Sequence, residues 1–295
     1  MKDLTVFILT HNRPVLVQKA IESVLKQKPF DFTLIVSDNS DNNETEEILK
    51  TKSYFDKINY YHINANGIDR YKDLFSRTKT KYFMQFHDDD EMLPDMVNSL
   101  YKAIVKGKYA AVSSNAYVVR NGVIAGVYNK YGTNIIVRNL DFLVKAYAGN
   151  GLTPFPAYMY SFDCISVFPW EFPGGKYSDA CFMVNILTKV GNILWLKNKL
   201  MNYYYHNGQD SAVYDYIAGY NLYCYFRKNS FNKKSKALKQ YRSYLLYSLI
   251  QQSYKDTGKV SGVKLRLLFK SSLYLYLKWQ LKKIVLVIRN KELDI

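Results

Sequence analysis

Apolar and polar positions follow a regular order over the first hundred residues. Four short apolar runs are typical of buried strands: residues 4–10, 33–37, 58–63 and 82–86. Four stretches with helical spacing follow them in turn: residues 14–26, 43–50, 68–77 and 94–106. This alternation predicts a doubly wound α/β sheet, in which ligands bind beyond the carboxyl ends of the strands.

The pattern changes after residue 108. It predicts strands at residues 109–120, 123–128 and 193–196 and a helix at residues 178–190. Asn121-Gly122 is a hairpin-turn signal between the first two of these strands. From residue 217 the chain is helical and basic in character, so we predict an α/β domain at residues 1–215 and a helical C-terminal region at residues 216–295.

The net charge of +16 lies almost entirely in the last quarter of the chain. Residues 1–226 contain 24 Lys and Arg against 22 Asp and Glu, whereas residues 227–295 contain 17 against three. A region with this balance attracts a polyanion, either a nucleic acid or an anionic lipid surface.

Composition narrows the class of protein. The chain is 48% hydrophobic, which is enough for a sizeable core, and its three cysteines are far apart with no C-x-x-C pair. We therefore expect a reducing compartment and neither a disulfide framework nor a cysteine zinc site. The first apolar run is only six or seven residues long, so we expect no signal peptide and no membrane-spanning helix.

Polar clusters follow three of the predicted strands. They are Thr10-His11-Asn12-Arg13, Ser37-Asp38-Asn39-Ser40 and His87-Asp88-Asp89-Asp90-Glu91. The carboxyl ends of parallel strands lie at the same edge of a sheet, so we expect these three clusters to lie close together. The chain has no G-x-G-x-x-G after the first strand and no G-x-x-x-x-G-K-[ST], which argues against a dinucleotide oxidoreductase and a P-loop enzyme.

The triplet Asp88-Asp89-Asp90 predicts a cation site. Three adjacent carboxylates at the end of a buried strand repel one another unless a cation neutralises them, and oxygen ligands suit Mg²⁺ or Mn²⁺. The alternative is a solvated acidic turn that caps the next helix.

These clusters together resemble the family 2 glycosyltransferases with the GT-A fold, of the type that builds bacterial surface polysaccharides. The resemblance rests on residues 10–14, 23–27, 36–40 and 86–95, and it is strong over residues 4–106 and fainter to about residue 215. It implies a GT-A catalytic domain with a Rossmann-like mixed sheet, the fold of nucleotide-diphospho-sugar transferases, and a C-terminal helical extension.

The resemblance also implies roles for the residues that bind the nucleotide sugar. Thr10, His11 and Arg13 line the base pocket, Asp38 accepts hydrogen bonds from the base, and Arg70 faces the nucleotide. His11 offers a flat ring for stacking.

The register of the acidic motif, Asp-x-Asp in the family, is ambiguous. Counting back from Pro94-Asp95 puts its two positions at His87 and Asp89, whereas the triplet itself gives Asp88 and Asp90. We expect Asp89 to bind the metal with Asp90 beside it, and Asp88 to contact the ribose or a metal-bound water.

Two further residues follow from the resemblance. His206, in a tyrosine–histidine stretch at residues 203–211, ligates the metal or contacts the leaving diphosphate. Asp179 is the expected general base, although Ser178 replaces the first acid of the family's pair. The loop at residues 149–160 is expected to line the acceptor site.

The predicted function is therefore a metal-dependent, inverting glycosyltransferase that uses Mn²⁺ or Mg²⁺. It moves a sugar from a nucleotide diphosphate, with UDP-sugars the expected donors, to a lipid-linked or growing glycan in cell-surface polysaccharide synthesis. The alternatives are a nucleotidyltransferase and a non-catalytic membrane- or RNA-binding protein on a degenerate scaffold.

The basic tail has three interpretations. Residues 259–291 interleave cations with Leu265, Leu268, Leu275, Leu281 and Ile284, while Tyr274, Tyr276 and Trp279 suit a headgroup boundary. We favour docking on anionic lipid, which predicts a cytoplasmic protein peripheral to the inner face of the cell membrane. The other interpretations are homo-oligomerisation and nucleic-acid binding, and we expect no nucleic-acid partner because no recognised module is present.

Overall fold

The computed structural model describes residues 1–65, 67–149, 151–206 and 215–282. These residues form two compact units. The first contains residues 1–139, 151–171 and 182–206, and the second contains residues 140–149, 172–181 and 215–282. The division into functional domains after residue 215 stays a prediction.

The described residues contain ten strands and nine α-helices whose first and last residues are defined. The strands are β1 (Leu4–Thr10), β2 (Thr33–Asp38), β3 (Asn59–His62), β4 (Tyr82–His87), β5 (Glu91–Met92), β6 (Ala111–Arg120), β7 (Val123–Val127), β8 (Ile135–Val137), β9 (Tyr158–Ser161) and β10 (Ile193–Tyr205). The helices are α1 (Pro14–Leu25), α2 (Glu44–Lys50), α3 (Gly67–Ser76), α4 (Met96–Gly107), α5 (Leu140–Ala148), α6 (Ser178–Lys189), α7 (Tyr216–Asn229), α8 (Lys236–Thr257) and α9 (Gly262–Ser271). Residues 273–282 are helical as well.

The first unit is built on one mixed sheet. Its strand order is β3-β2-β1-β4-β9-β6-β10-β5, with β7 beside β6 and β8 beside β10. Strands β1 to β4 run parallel, and β9 is antiparallel to both β4 and β6. The predicted Rossmann-like mixed sheet is therefore confirmed.

The register of the sheet brings the polar clusters together. Thr10 pairs with Asp38 across β1 and β2, and Leu9 pairs with His87 across β1 and β4. Strand β1 is central and its residues Leu4, Val6 and Ile8 are fully buried. A strand that is buried on both faces consists of a continuous run of apolar residues. This explains why β1 could be predicted from the sequence.

Several element boundaries differ from the prediction, most of them by one or two residues. Helix α4 begins at Met96 rather than at Pro94, because Asp95 takes a left-handed conformation with φ of 64° just before it. Strand β10 has 13 residues rather than four. Its middle residues Lys197, Asn198 and Lys199 are exposed and the pairing with β6 shifts register there, so the polar bulge hid the strand.

The second unit contains a helical core. Tyr247 and Ile250 of α8 pack against Leu268 and Trp279, all four being buried. Helices α7, α8 and α9 each begin with a side chain that accepts a hydrogen bond from the helix backbone; these caps are Asp215, Ser235 and Ser261. The predicted helical character of the tail is thus observed over residues 216–282, apart from short connections.

The prediction of which apolar residues of the tail face lipid is wrong in part. Leu268 and Trp279 are buried, with Trp279 only 1% exposed, and Leu265 and Leu275 pack against the same core. Of the predicted face, Leu281 is exposed, while Ile284 lies outside the described residues. Within the part of the chain that the structure describes, no helix combines the length and apolar character of a membrane span.

Candidate active site

The ends of β1 and β4 are joined through Asp88. Thr10 Oγ1 donates a hydrogen bond of 2.8 Å to Asp88 Oδ2, and an Arg13 guanidinium nitrogen lies 3.0 Å from Asp88 Oδ1. Burial raises the pKa of Asp88, while the hydrogen bond from Thr10 and the charge of Arg13 oppose that rise. Arg13 therefore acts as a cation built into the acidic turn.

The carboxylate of Asp89 lies between nitrogen atoms of two side chains, Arg13 and His206. The same Arg13 nitrogen is 3.4 Å from Asp89 Oδ2, and His206 Nε2 is 3.0 Å from that oxygen. The side chain of Asp89 is only 8% exposed. The structure thus brings His206, at the end of β10, to the acidic cluster at the end of β4.

Asp90 is the most deeply buried member of the triplet. Its Oδ1 accepts a hydrogen bond of 3.0 Å from the backbone N–H of Tyr204, but Oδ2 is buried without a hydrogen-bond partner. Burial, and next the charge of Asp89, raise the pKa of Asp90 well above its ordinary value. A buried carboxylate oxygen without a hydrogen-bond partner fits a ligand position for a cation.

His87 completes a group that fits a divalent ion. Ligand atoms of His87, Asp89 and Asp90 all lie within 4.8 Å of one another. Burial lowers the pKa of His87, which favours the neutral imidazole that binds metal. Two carboxylates and an imidazole suit Mn²⁺ or Mg²⁺, and the orphaned oxygen of Asp90 supplies the open ligand position.

The geometry favours one register of the acidic motif over the other. His87 and Asp89 lie together with Asp90, whereas Asp88 is turned toward Thr10 and Arg13. His87 was not among the predicted ligands, although counting back from Pro94 had placed it at a motif position. His206 contacts Asp89 rather than joining this group, so its ligand role stays a prediction.

The residues expected to bind the base surround Asp38. Asp38 is fully buried; its Oδ1 accepts hydrogen bonds from the backbone and hydroxyl of Ser40, and its Oδ2 accepts one of 2.6 Å from Tyr60. His11 Nδ1 lies 2.8 Å from the carbonyl oxygen of Asn39, and the ring is exposed. Their contacts with a base stay predictions.

Arg70 holds two strand ends together. Its guanidinium donates hydrogen bonds of 2.9 and 2.8 Å to the carbonyl oxygens of Thr10 and Ser37. Burial lowers its pKa, and the nearby carboxylates Asp88 and Asp38 act in the opposite direction. Its observed contacts fix β1 beside β2, and its contact with the nucleotide stays a prediction.

Asp179 belongs to the second unit, in the first turn of α6. Its Oδ1 accepts a hydrogen bond of 2.7 Å from the N–H of Ala180. The side chain reaches solvent, yet the surrounding protein removes enough water to raise the pKa of its carboxyl to about 7. This value suits a general base at neutral pH.

The acidic cluster and the ends of β1 and β2 lie within the segment of the chain that matches a known sequence family. Residues 5–153 match the profile described as Glycosyl transferase family 2, which is just over half of the chain. The chain belongs to glycosyl transferase family 2. The prediction of a glycosyltransferase is thereby confirmed at the level of the family, and the nucleotidyltransferase alternative is disfavoured.

A curated relative of this family 2 chain comes from Campylobacter jejuni. It is the GalNAc(5)-diNAcBac-PP-undecaprenol beta-1,3-glucosyltransferase, 28% identical over 161 residues. The match covers 52% of this chain and 52% of the relative. The chain thus spans about half the length of the curated relative it matches.

Solved structures of TarS from S. aureus share the fold. TarS 1-349 in complex with UDP-GlcNAc gives a TM-score of 0.64 at 16% identity, with 92% of this chain and 79% of that chain covered. TarS 1-349 without a named ligand gives 0.61 at 15% identity, over the same shares. These likenesses support the predicted GT-A fold of this family 2 chain.

Replacing Asp90 by Asn should stabilise the metal-free protein. The raised pKa means that the folded chain holds the proton more tightly than the unfolded chain, so the contribution of Asp90 to stability is lost as pH rises above its ordinary value of about 4. Asn keeps the acceptor for Tyr204 and removes the charge. We expect the free energy of unfolding to rise by about 1 kcal/mol at pH 8.

Urea unfolding in the presence of EDTA at pH 5 and pH 8 measures this effect. The gain should be smaller at pH 5, where more of the wild-type Asp90 is protonated. Asp56→Asn, an exposed acid outside the cluster, is the matched control and should change little. An Asp90→Asn protein less stable than the wild type at pH 8 would contradict the charge argument.

Proposed function

We propose that this chain is a metal-dependent, inverting glycosyltransferase that moves a sugar from a UDP-sugar to a lipid-linked or growing glycan. The observation that carries the proposal is the group formed by His87, Asp89 and Asp90 at the carboxyl end of β4 in a family 2 chain. A carboxylate cluster at this edge suits a cation that binds phosphate oxygens.

The similar proteins support the choice of donor and acceptor. TarS was crystallised with UDP-GlcNAc, and the Campylobacter relative is by name a glucosyltransferase of a PP-undecaprenol-linked glycan. By extension, the donor of this chain is a UDP-sugar and its acceptor is carried by a lipid diphosphate or is a glycan built on one. The pathway is cell-surface polysaccharide synthesis.

The reaction is a single displacement at the anomeric carbon. The acceptor hydroxyl oxygen forms a bond to that carbon while the bond to the diphosphate oxygen breaks, and the electron pair leaves with the nucleotide diphosphate. We assign the proton of the hydroxyl to Asp179, whose pKa of about 7 leaves about half of its carboxyl groups deprotonated at neutral pH. Attack from the side opposite the leaving group inverts the configuration.

The residues of the first unit prepare the site for the diphosphate. His87, Asp89 and Asp90 would hold Mn²⁺ or Mg²⁺, which when bound neutralises the charge that develops on the leaving group. Arg13 holds Asp88 and Asp89 in place from the start of α1. His206 fixes Asp89 from the end of β10.

Replacing Asp89 by Asn should abolish metal-dependent turnover of the donor. The change removes one of the two carboxylates of the metal group while keeping the size of the side chain. We expect the rate of UDP-sugar turnover with Mn²⁺ to fall by about a hundredfold or more, measured by UDP release.

Asp56→Asn is the control for the Asp89 experiment and should keep the wild-type rate. Turnover separates a glycosyltransferase from a non-catalytic protein on the same scaffold. Full activity of the wild type in EDTA, or a wild-type rate for Asp89→Asn, would contradict the proposal that the enzyme needs a metal.

Replacing Asp179 by Asn should slow sugar transfer about a hundredfold or more without weakening UDP binding, since a general base acts on the acceptor. In the wild type the rate should rise with pH through about 7, because only the deprotonated carboxyl accepts a proton. Asp163→Asn, an exposed acid, serves as the control. Loss of UDP binding together with transfer would mean that Asp179 is structural.

The second unit carries an apolar surface that suits a membrane. Seven large apolar residues at positions 263–281 are each more than half exposed: Val263, Leu267, Phe269, Leu273, Tyr274, Leu277 and Leu281. Lys270, Lys278 and Lys282 lie among them in the sequence. Apolar side chains flanked by cations are typical of a helix that lies in the surface of an anionic bilayer. We therefore propose that the protein docks on the inner face of the cell membrane.

Flotation with anionic liposomes tests this placement. The full chain should float with phosphatidylglycerol vesicles, and salt should weaken the binding without abolishing it, because insertion of apolar groups is not screened. Leu267→Gln with Leu277→Gln should reduce flotation several-fold, while the control Val15→Gln with Val105→Gln should not. Val15 and Val105 are likewise exposed helical residues, in α1 and α4.

The oligomerisation alternative gives a different result in the same experiment. It predicts no flotation of the wild type, and a lower mass by light scattering for the Leu267→Gln, Leu277→Gln variant. Equal flotation of that variant and the wild type would remove this surface from the account.

A further inference from the structure

A cavity of about 710 Å³ opens beside the acidic cluster in the first unit. Its lining includes Asp89, Asp90 and His206, so one end adjoins the candidate metal group. Neither Asp38 nor Arg70, at the strand ends assigned to the nucleotide, lines it. The cavity is therefore separate from the expected base pocket, although it reaches the same carboxylates.

One wall of the cavity is a single face of α1. Leu16, Lys19, Ser23 and Lys26 line it, and their spacing of three or four residues puts them on the same side of the helix. Lys19 and Lys26 are about 10 Å apart along the helix axis, given a rise of about 1.5 Å per residue. The cavity thus extends well beyond the metal group.

Three cations line this cavity, and the described residues hold no ion pair for any of them. They are Lys19 of α1, Lys26 at the C-terminal cap of that helix and Arg120 at the end of β6, all exposed. The guanidinium of Arg120 lies 4.2 Å from the centre of the Tyr205 ring, which orients it while leaving its N–H groups available. These cations are the part of the lining that can receive an anion.

The acids of the lining are mostly engaged elsewhere. Glu91 accepts hydrogen bonds from the amide of Asn202 and the hydroxyl of Tyr204. Asp89 and Asp90 belong to the metal group. Glu22 alone shares the α1 face with the two lysines and is exposed. Away from the metal group, the lining is left with more free positive than negative charge.

We propose that this cavity binds the phosphate-bearing end of the acceptor, with Lys19, Lys26 and Arg120 as its phosphate-binding residues. The inference rests on the proposed glycosyl transfer and deepens it by naming the residues that bind the phosphate of the acceptor. Phosphate fits better than a sugar carboxylate, which carries one charge, because the diphosphate of such an acceptor carries two charges at neutral pH and offers several oxygens to cations from two elements. The end that reaches Asp89 places the reacting part of the acceptor next to the metal group.

A binding experiment with a blocked donor site tests this proposal. The full chain is saturated with UDP and Mg²⁺, and glucose 1-phosphate is titrated in by calorimetry, with glucose and glucuronate as comparison probes. We expect saturable binding of glucose 1-phosphate and much weaker binding of the other two. The variant Lys19→Ala, Lys26→Ala, Arg120→Ala should bind glucose 1-phosphate at least about tenfold more weakly.

A matched control removes the same charges elsewhere. Lys102→Ala, Lys106→Ala, Arg138→Ala changes three exposed cations that do not line the cavity, and it should bind like the wild type. Arg120→Lys should retain more affinity than Arg120→Ala because it keeps the charge. UDP affinity should be the same in all variants, which also reports that they fold.

The outcomes separate this inference from the proposed function. If the wild type fails to bind UDP with Mg²⁺, the proposed function is overturned. If UDP binds but glucose 1-phosphate does not, or if the triple cavity variant binds it like the control, the cavity assignment is overturned. Glucuronate binding as strong as glucose 1-phosphate binding would overturn the assignment to phosphate, and a parallel loss of UDP affinity would assign the three cations to the donor.

Discussion

Electrostatic repulsion among Asp88, Asp89 and Asp90 is the constraint on which the site depends. The surroundings of each carboxylate limit this repulsion: Arg13 and Thr10 hold Asp88, Arg13 and His206 flank Asp89, and burial raises the pKa of Asp90 well above its ordinary value. One buried oxygen of Asp90 has no hydrogen-bond partner among the described residues. The proposed divalent ion and phosphate-bearing ligand would relieve the remaining repulsion.

The sheet supplies the rigidity that this arrangement needs. Three parallel strand ends are held in register by β1, whose core residues are inaccessible to solvent, and Arg70 ties β1 to β2 through their carbonyl oxygens. The large cavity then lies beside a fixed set of charges on α1 and at the end of β6.

Much of this frame was predictable from the sequence, because buried parallel strands produce unbroken apolar runs. Strand β10 was underestimated, since the exposed residues Lys197 to Lys199 resemble a loop unless the bulge in pairing with β6 is known. The prediction of the exposed face of the tail was partly wrong for a similar reason. Apolar residues occur all round α9 and the helical residues after it, and only the position of α8 decides that Leu268 and Trp279 are buried while Leu267 and Leu277 are not. The role of His87 depended on a choice of register that spacing alone left open.

The most direct test of the central claim is the position of a bound metal. Crystals of the full chain grown with Mn²⁺ and UDP, and measured at a wavelength where manganese scatters anomalously, would locate the ion. The account predicts one anomalous peak in contact with carboxylate oxygens of Asp89 and Asp90 and a ring nitrogen of His87, with Asp88 still bonded to Thr10 and Arg13. A peak held by Asp88 in place of His87, or a site that binds UDP with no manganese at all, would contradict it.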